Sequence, residues 1–308
     1  MSKINLHIEP ETPPKKWKEF IKQAPQFSVA IDGYVADSTK FVSKKSIANF
    51  NHHEFVDRLS TRSTCAQIII AIRMGFFESF KDEHGEVIMN VYTNDCDEDV
   101  CLSYYLLKHG YRSKNTIDPA LNKLVSMVDL LDTTAGTYPF PADLPAVKEL
   151  AWIFQPYRIA RMNGLLATKN KDVYKDIITN VERRITDYIC GKGEQVDLDT
   201  TYETIYSSPK WSMIKETASH SRLGMISDGI KCFISFRQRQ NGNWDYVIGK
   251  VSPFVQFPIN LICAHLNDIE DTYVDEWGGS DIIGGSPRVS GSSLSPDEMI
   301  IIINNLLE

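Results

Sequence analysis

Two kinds of hydrophobic pattern divide the chain. Before Gly191, apolar residues occur in short buried runs or at helical spacing, whereas after Gly193 the pattern changes to short strands and turns. Two apolar runs, residues 27–32 and 87–92, predict strands, and each leads directly into acidic residues. Strands that alternate with helices are typical of the α/β class, and we expect that class here.

Helical spacing recurs between and after these strands. Gly110 follows one such segment and is expected at a left-handed C-cap, and Pro156 is expected to break another. The N-terminal residues are expected to form an irregular arm with a short helix starting at 17–21. The predicted helices of the first part are residues 61–77, 100–109, 121–131, 145–163 and 173–189.

The C-terminal part carries a clear hairpin signal. Residues 232–239 and 244–250 flank an Asn-Gly-Asn turn, which predicts a hairpin of two antiparallel strands. A helix is expected at 253–267. The last helix has a marked start, with Ser295 as N-cap and Glu298 three residues later.

The length of 308 residues exceeds the size at which one hydrophobic core keeps growing. We therefore expect two domains, 1–195 and 196–308, the second being the smaller one. Hydrophobic residues at 43% and charged residues at 24% are typical of a globular protein.

The net charge and the length of the apolar runs limit the kinds of partner that the protein is expected to bind. A formal net charge of −7 gives no global attraction to polyphosphate, so small substrates are favoured over a long nucleic acid. The longest apolar runs, 68–72 and 299–303, are too short to span a bilayer, and the N-terminal residues lack the apolar stretch of a signal peptide. We expect a cytoplasmic protein without a membrane partner. The six cysteines form no CxxC pair, which argues against a zinc knuckle or disulfide framework.

An acidic segment follows the second predicted strand. Asp95, Asp97, Glu98 and Asp99 fall within five positions, and no Lys or Arg lies among them. Oxygen ligands of this kind suit Mg²⁺ or Mn²⁺. The alternative is a solvated acidic loop that caps the next helix, where negative charge is favourable.

Two further groups are candidate partners of that segment. His52 and His53 follow the strand-ending Asp32 by some twenty positions, and neighbouring histidines can offer one imidazole to a metal and one to a substrate. Asp129 and Asp132 lie at the end of an apolar helix, where either one could complete a dinuclear site. A His pair in an ordinary polar loop and plain polarity at a helix end remain the alternatives.

A glycine-rich loop near the C-terminus is a candidate anion site. Gly284 and Gly285 allow backbone N–H groups to approach an anion, and Arg288 offers a planar fork to phosphate, with Ser286 and Ser290 beside it. The loop matches neither a Walker motif nor a GxGxxG motif. The alternative is a surface loop that precedes the last helix.

Together these segments resemble the DHH phosphoesterase superfamily. Residues 95–103 are similar to its HxDxDGxxS segment, and Asn51-His52-His53 is similar to its DHH triplet. Residues 284–291 are similar to the GGHxxAAG loop of its DHH-associated domain. Residues 30–53 also resemble the Myg-type branch. The resemblance implies a parallel-sheet domain with flanking helices, followed by a smaller α/β substrate-binding domain.

This chain departs from the family pattern at three motif positions. Asp95 stands where a metal-binding His is expected, Asn51 replaces the Asp of the triplet, and Ser286 replaces the His of the glycine loop. The His pair also precedes the acidic segment, whereas the family usually has the reverse order. Geometry rather than chain order defines a site, so the resemblance can hold across a permutation.

The resemblance implies metal-dependent hydrolysis of a phosphoester or phosphoanhydride. The substrate would be a small nucleotide-like molecule or a short oligonucleotide. His53 would assist proton transfer, and Arg288 with Gly284, Gly285, Ser286 and Ser290 would hold the substrate. The implied ligands of one or two Mn²⁺ or Mg²⁺ ions are Asp32, His52, Asp95, Asp97, Asp99, Asp129 and Asp132.

Two alternatives use the same fold. One is a catalytically degenerate member that binds a phosphorylated ligand. The other is a single-strand exonuclease, for which Trp244, Tyr246, Phe254 or Phe257 would stack bases. The oligomeric state stays open, a homodimer included.

Overall fold

The computed structural model of the protein describes residues 3–110, 118–239, 241–272 and 275–308. The chain is of the mixed α/β class and divides into two compact units. The first unit comprises Met1–Thr133 and Pro145–Asp197, and the second comprises Thr134–Leu144 and Leu198–Glu308. Among the described residues, no helix is long and apolar enough to cross a membrane.

The first unit combines a five-stranded sheet with helices. Its strands are β1 (Lys3–Ile8), β2 (Ser28–Ile31), β3 (Lys40–Val42), β4 (Ile47–Phe50) and β5 (Ile88–Thr93). Its helices are α1 (Trp17–Gln23), α2 (Thr64–Arg73), α3 (Glu98–His109), α4 (Pro119–Thr133), α5 (Pro145–Met162) and α6 (Lys171–Ile189).

The strand order of this sheet is β1-β5-β2-β4-β3. All neighbours are parallel except the edge strand β3, which runs antiparallel to β4. The residues of β2 and β4 are buried throughout, as is typical of parallel strands covered on both faces, and all of them are apolar except Ser28 and Asn49. The carboxyl ends of β5, β2 and β4 therefore meet at one edge of the sheet.

The second unit has a six-stranded mixed sheet in the order β10-β11-β9-β8-β7-β6. Its elements are β6 (Tyr202–Ser207), β7 (Ser212–Glu216), α7 (Ser221–Ser227), β8 (Cys232–Gln238), β9 (Trp244–Lys250), α8 (Ile259–Glu270), β10 (Gly278–Gly279), β11 (Ile283–Gly285) and α9 (Pro296–Leu307). The β8–β9 hairpin and the capping box of α9 at Ser295 and Glu298 confirm the sequence prediction.

Two of the four aromatic residues expected to stack bases lie in the core of the second unit. Tyr246 and Phe257 belong to its buried cluster together with Trp211 and Trp277, so they are not available to stack bases. Trp244 is partly buried against this cluster, and Phe254 is 80% exposed. The base-stacking surface expected for an exonuclease is therefore wrong for two of its four residues.

Two expected helix features are wrong. Gly110 has φ −66°, so it ends α3 without a left-handed conformation. A Cβ at this position would lie 2.7 Å from Cδ1 of Ile72, so the glycine allows α3 to pack closely on α2. Helix α5 continues through Pro156, since one lost hydrogen bond does not end a packed helix.

The N-terminal arm and one short strand were not predicted as strands. Residues Lys3–Ile8 form β1 and pair in parallel with β5. Ile47–Phe50 form β4, in which a polar residue, Asn49, is completely buried. Its side-chain N–H groups donate to the carbonyl groups of Asp37 and Ser38, whereas its Oδ1 has no hydrogen-bond partner among the described residues.

Candidate metal centre

The ends of two neighbouring parallel strands bring an aspartate and a histidine together. Asp32 follows β2 directly, and His52 follows β4 by one residue, Asn51. The N–H of Asp32 donates to the carbonyl of Phe50 at 2.9 Å, which extends the strand pairing to the last residues. Both candidates are therefore placed by parallel pairing at the carboxyl edge of the sheet, a common location for sites in α/β proteins.

Local turns aim these two side chains inward. Asp32 itself adopts a left-handed conformation with φ 50°, followed by Gly33 with φ 79°, so the chain reverses immediately after β2. After β4, the side chain of Asn51 accepts hydrogen bonds from the N–H groups of His52 at 2.9 Å and His53 at 3.2 Å. Asn51 thus shapes the turn, and its amide oxygen is occupied by these two N–H groups.

Asp99 reaches the same point from the first turn of α3. Its two oxygens accept hydrogen bonds from the N–H groups of Thr64 and Cys65, each at 2.7 Å, at the start of α2. A helix N-terminus stabilises a carboxylate, and here the carboxylate also satisfies the unpaired N–H groups of the helix. Thr64 further donates its hydroxyl to Asp32 at 3.2 Å. The start of α2 therefore holds two of the carboxylates.

Asp132 completes the group from the end of α4. Its Oδ2 lies 2.7 Å from Nε2 of His52, while Oδ1 of Asp32 lies at 3.4 Å and Oδ2 of Asp99 at 3.7 Å from the same nitrogen. One donor atom from each of Asp32, His52, Asp99 and Asp132 lies within 4.8 Å of the others. We call these four residues the acidic centre. They could hold a metal ion.

The acidic centre contains buried polar atoms that the chain does not satisfy. In the described part of the chain, neither ring nitrogen of His52 has a hydrogen-bond partner, and neither does Oδ2 of Asp132. His52 is completely buried. Nε2 of His52 and Oδ2 of Asp132 are 2.7 Å apart, which is close enough for an ion pair with a protonated ring, but they are not aligned for a hydrogen bond. Unpaired buried polar atoms are costly, so they need an explanation.

The charges of the acidic centre conflict. Burial, and then the carboxylates of Asp132 and Asp32, raise the pKa of Asp99 well above its usual range. Burial also opposes the charged form of His52, but Asp132 and Asp32 outweigh it and raise the pKa of His52 to about 11. Three carboxylates around one imidazole cannot all be neutralised by it, and a divalent cation would resolve the conflict.

Asp97 and Asp95 flank the acidic centre without belonging to it. Asp97 is the N-cap of α3 and accepts a hydrogen bond from the N–H of Val100 at 2.9 Å. Burial, followed by the charges of Asp32 and Asp95, raises the pKa of Asp97 well above its usual range, so it lies in the same field. Asp95 accepts from the N–H of its neighbour Cys96. Asp97 therefore caps the helix, as the alternative for this segment describes, while Asp95 lies in the loop before the helix.

Asp129 and Asp132 have different environments, although they lie three residues apart on α4. Asp129 accepts from the N–H of Ser63 at 2.7 Å and forms an ion pair with Arg62 at 2.9 Å. Both of its oxygens are therefore used to fix the start of α2. Asp132 is the member of this pair that the fold brings to His52.

His53 lies beside the acidic centre and contacts one of its carboxylates. Nε2 of His53 is 2.8 Å from Oδ1 of Asp32, and Nδ1 of His53 is 2.7 Å from Nη2 of Arg58. Burial opposes ionisation of Asp32, but His53 and His52 outweigh it and hold the pKa of Asp32 well below its usual range. Asp32, His52 and His53 form a second group of donor atoms with metal-ligand spacing.

The glycine-rich loop of the second unit is largely satisfied by its own chain. The N–H groups of Val289 and Ser290 both donate to Oδ2 of Asp275, at 2.9 and 2.7 Å. Ser286 pairs with Tyr246 through its N–H and its hydroxyl. Two amides of this loop are thus occupied by Asp275, and Arg288 is exposed.

The glycines of this loop serve packing. Gly284 belongs to β11, and a Cβ there would lie 2.9 Å from Sγ of Cys263 and 3.0 Å from Ile259 on α8. A Cβ on Gly285 would lie 3.3 Å from the carbonyl oxygen of Tyr246. Close approach of a strand to a helix and to its neighbour strand explains both positions without a ligand.

Sequence reasoning missed three residues around the acidic centre. Thr64 binds Asp99 and Asp32, Arg58 binds His53, and Arg158 on α5 forms an ion pair with Glu98 at 2.7 Å. The Thr/Ser cluster before α2 was a signal for Thr64, since helix starts attract carboxylates. Arg58 and Arg158 are isolated basic residues, and no local pattern identifies them.

Comparison with protein-family models and with curated proteins finds no match for this chain.

Proposed function

We propose that this protein is a metal-dependent phosphohydrolase that uses the acidic centre to act on a phosphoester or phosphoanhydride. The single observation that carries the proposal is the convergence of Asp32, Asp99 and Asp132 on the buried Nε2 of His52. The substrate is a small nucleotide-like molecule or a short oligonucleotide. The resemblance of the motifs to DHH phosphoesterases supports the same chemistry.

The donor set fits a hard divalent cation. Ligand atoms at about 2.1 Å from an octahedral ion lie roughly 3 Å from one another, and the distances from Nε2 of His52 are 2.7, 3.4 and 3.7 Å. Carboxylate oxygens suit Mn²⁺ and Mg²⁺, and the imidazole favours Mn²⁺ of the two. Among the lysines and arginines of the described residues, none forms an ion pair with the three aspartates of the centre.

The chain supplies orientation for this chemistry. Thr64 and Cys65 hold Asp99 through their N–H groups, and the hydroxyl of Thr64 holds Asp32. Preorganised ligands of this kind cost no rearrangement when substrate binds. A bound divalent ion would polarise a phosphoryl oxygen and neutralise charge on the transferred group.

Metal binding and hydrolysis by the full chain test this proposal. After treatment with a chelator, the protein is titrated with Mn²⁺ and Mg²⁺ by calorimetry. Hydrolysis of bis(p-nitrophenyl) phosphate, pyrophosphate and a short oligonucleotide is then followed. The variants are His52→Ala and Asp132→Asn, with Asp176→Asn as the matched control, because Asp176 is an exposed carboxylate on α6.

We expect Mn²⁺-dependent turnover by the wild-type protein and the control. In His52→Ala, Mn²⁺ affinity should fall by more than the roughly 100-fold that loss of an outer-shell partner costs. Equal Mn²⁺ binding by His52→Ala and the wild type would rule out the acidic centre as the metal site. Metal binding without turnover of any substrate would instead favour the degenerate member that binds a phosphorylated ligand.

A further inference from the structure

Arg58 contacts both His53, which lies beside the acidic centre, and Asp132, which belongs to it. It lies five residues after His53, in the loop between β4 and α2. Its Nη2 lies 2.7 Å from Nδ1 of His53, and its Nη1 donates to the backbone carbonyl of Asp132 at 3.0 Å. One guanidinium therefore connects the loop that follows β4 with the end of α4.

The hydrogen-bond geometry of this contact fixes the tautomer of the His53 ring. A guanidinium has N–H donors and no acceptor, so Nδ1 of His53 must carry the lone pair that accepts from Arg58. In the neutral ring the proton is then on Nε2. That nitrogen lies 2.8 Å from Oδ1 of Asp32, so it donates to the carboxylate.

Packing holds the ring in this position. The ring of His53 lies 4.2 Å from the ring of His52, measured between centroids. On another side it approaches Gly33, where a Cβ would be 3.3 Å from Cδ2 of His53. The side chain of His53 is 28% exposed, whereas that of His52 is completely buried. The two adjacent histidines thus have different neighbours and different exposure.

We propose that Arg58 is a positioning residue that prevents His53 from serving as a metal ligand and so limits the centre to a single ion. Both nitrogens of His53 are used, one by Arg58 and one by Asp32, so the group Asp32, His52 and His53 holds no second ion. His53 then orients Asp32 as an outer-shell donor, as such partners do in metal sites. It has no free lone pair for the proton transfer expected from the sequence.

This inference rests on the proposed metal centre for its ion count, but its hydrogen-bond part can be tested without metal. In metal-free protein, long-range ¹H–¹⁵N spectra of the imidazole rings distinguish a proton on Nε2 from a proton on Nδ1. We expect His53 in the wild type to carry its proton on Nε2. Arg58→Met should lose this preference, and Arg58→Lys, which keeps a donor, should restore it. Arg183→Met, which replaces an exposed arginine on α6, is the matched control.

Metal measurements test the other part. We expect a single Mn²⁺ ion per wild-type chain, and a second, weaker ion in Arg58→Met, where Nε2 of His53 becomes free to ligate. His53→Gln keeps an N–H donor toward Asp32, so Mn²⁺ affinity should stay within about tenfold of the wild type, as for an outer-shell residue. His52→Gln should lose binding.

The outcomes separate this inference from the proposed function. A proton on Nδ1 of His53, or two ions bound by the wild type, would overturn the role of Arg58 and leave a metal centre in place. Loss of binding in His53→Gln as complete as in His52→Gln would also overturn it. Absence of Mn²⁺ binding by every protein, with His53 protonated on Nε2, would instead contradict the proposed function and keep the Arg58 contact.

Discussion

Buried carboxylates in the two units have opposite electrostatic environments. In the second unit, Glu216 forms ion pairs with Arg222 at 3.1 Å and Arg237 at 2.7 Å, and it accepts a hydrogen bond from Ser235 at 2.8 Å. In the first unit, three aspartates meet at His52, and Oδ2 of Asp132 has no hydrogen-bond partner among the described residues.

The difference shows how burial alone fails to identify a site. Glu216 is neutralised by cations of the chain itself, so its environment is complete without a ligand. The acidic centre combines burial with an excess of negative charge and unpaired ring nitrogens of His52. A buried acid indicates a ligand site when the surrounding chain leaves it unsatisfied.

The largest effect is expected in the second unit. Glu216→Gln breaks a buried ion pair and leaves two arginines without their carboxylate, which should lower the free energy of unfolding by about 3 kcal/mol. Urea unfolding followed by tryptophan fluorescence checks this, because Trp211 and Trp277 lie in the core of that unit. Glu203→Gln removes an exposed carboxylate from its pair with Lys215 on the same sheet and should cost less than about 1 kcal/mol.

The contrast between the two units would be wrong if Mn²⁺ changed the loss of unfolding free energy caused by Glu216→Gln, since the Glu216 site is predicted to be structural. It would also break down if Glu216→Gln and Glu203→Gln cost the same, because burial of the pair is the reason for the difference.

A somewhat smaller effect is expected from metal in the first unit. Mn²⁺ at 100 times its dissociation constant should stabilise the wild type by about 2.7 kcal/mol, because the ion binds the folded chain and not the unfolded one. Thermal unfolding with and without Mn²⁺ measures this shift. His52→Ala should lose the shift, while Asp176→Asn should retain it. A full Mn²⁺ shift in His52→Ala would place the ion elsewhere.

The smallest effect is expected for Glu182, a carboxylate of the first unit that is neutralised by the chain itself, as Glu216 is in the second unit. Glu182 pairs with Lys108 and His109, each at 2.8 Å. Burial opposes ionisation of Glu182, but His109 and Lys108 outweigh it and lower its pKa. Because the pKa of Glu182 is lower in the folded state than in the unfolded state, its ionised form stabilises the folded protein. This stabilisation is complete at pH values above the unfolded pKa of about 4.5, and it is lost as the pH falls through the folded pKa.

Glu182→Gln should therefore cost less than about 1 kcal/mol at pH 7, because Lys108 and His109 are partly exposed and the pair is screened. Its unfolding temperature should converge with that of the wild type as the pH falls below the folded pKa of Glu182. A difference that grows on acidification would mean that the sign of this coupling is wrong. Mn²⁺ should not alter the result.

The strands and helices with strong local patterns were predictable. Runs at 27–32 and 87–92 correspond to β2 and β5, and Ser295 with Glu298 marks the start of α9. Strand β4 was not predicted, because its four residues include the polar Asn49 and are too few to show a period. The location of the His pair at a strand end was therefore invisible in the sequence.

The candidate residues themselves came from the sequence, but their roles came from the fold. From the sequence, Asp97 and Asp99 were equivalent candidate metal ligands, and so were Asp129 and Asp132. Helix α3 begins between the first two, so Asp97 caps the helix and Asp99 faces the start of α2. On α4, Asp129 meets Arg62, whereas Asp132 meets His52.

The sequence by itself determined the α/β class, the acidic segment, the His pair and the absence of a local cation to neutralise them. These features are local, and spacing or charge within a few residues is enough to recognise them. Only the tertiary structure decided which carboxylates converge on His52 and that Arg58 binds His53. Parallel pairing of β2 and β4 and the packing of α2, α3 and α4 bring together residues that lie far apart along the chain, and no local pattern encodes such contacts.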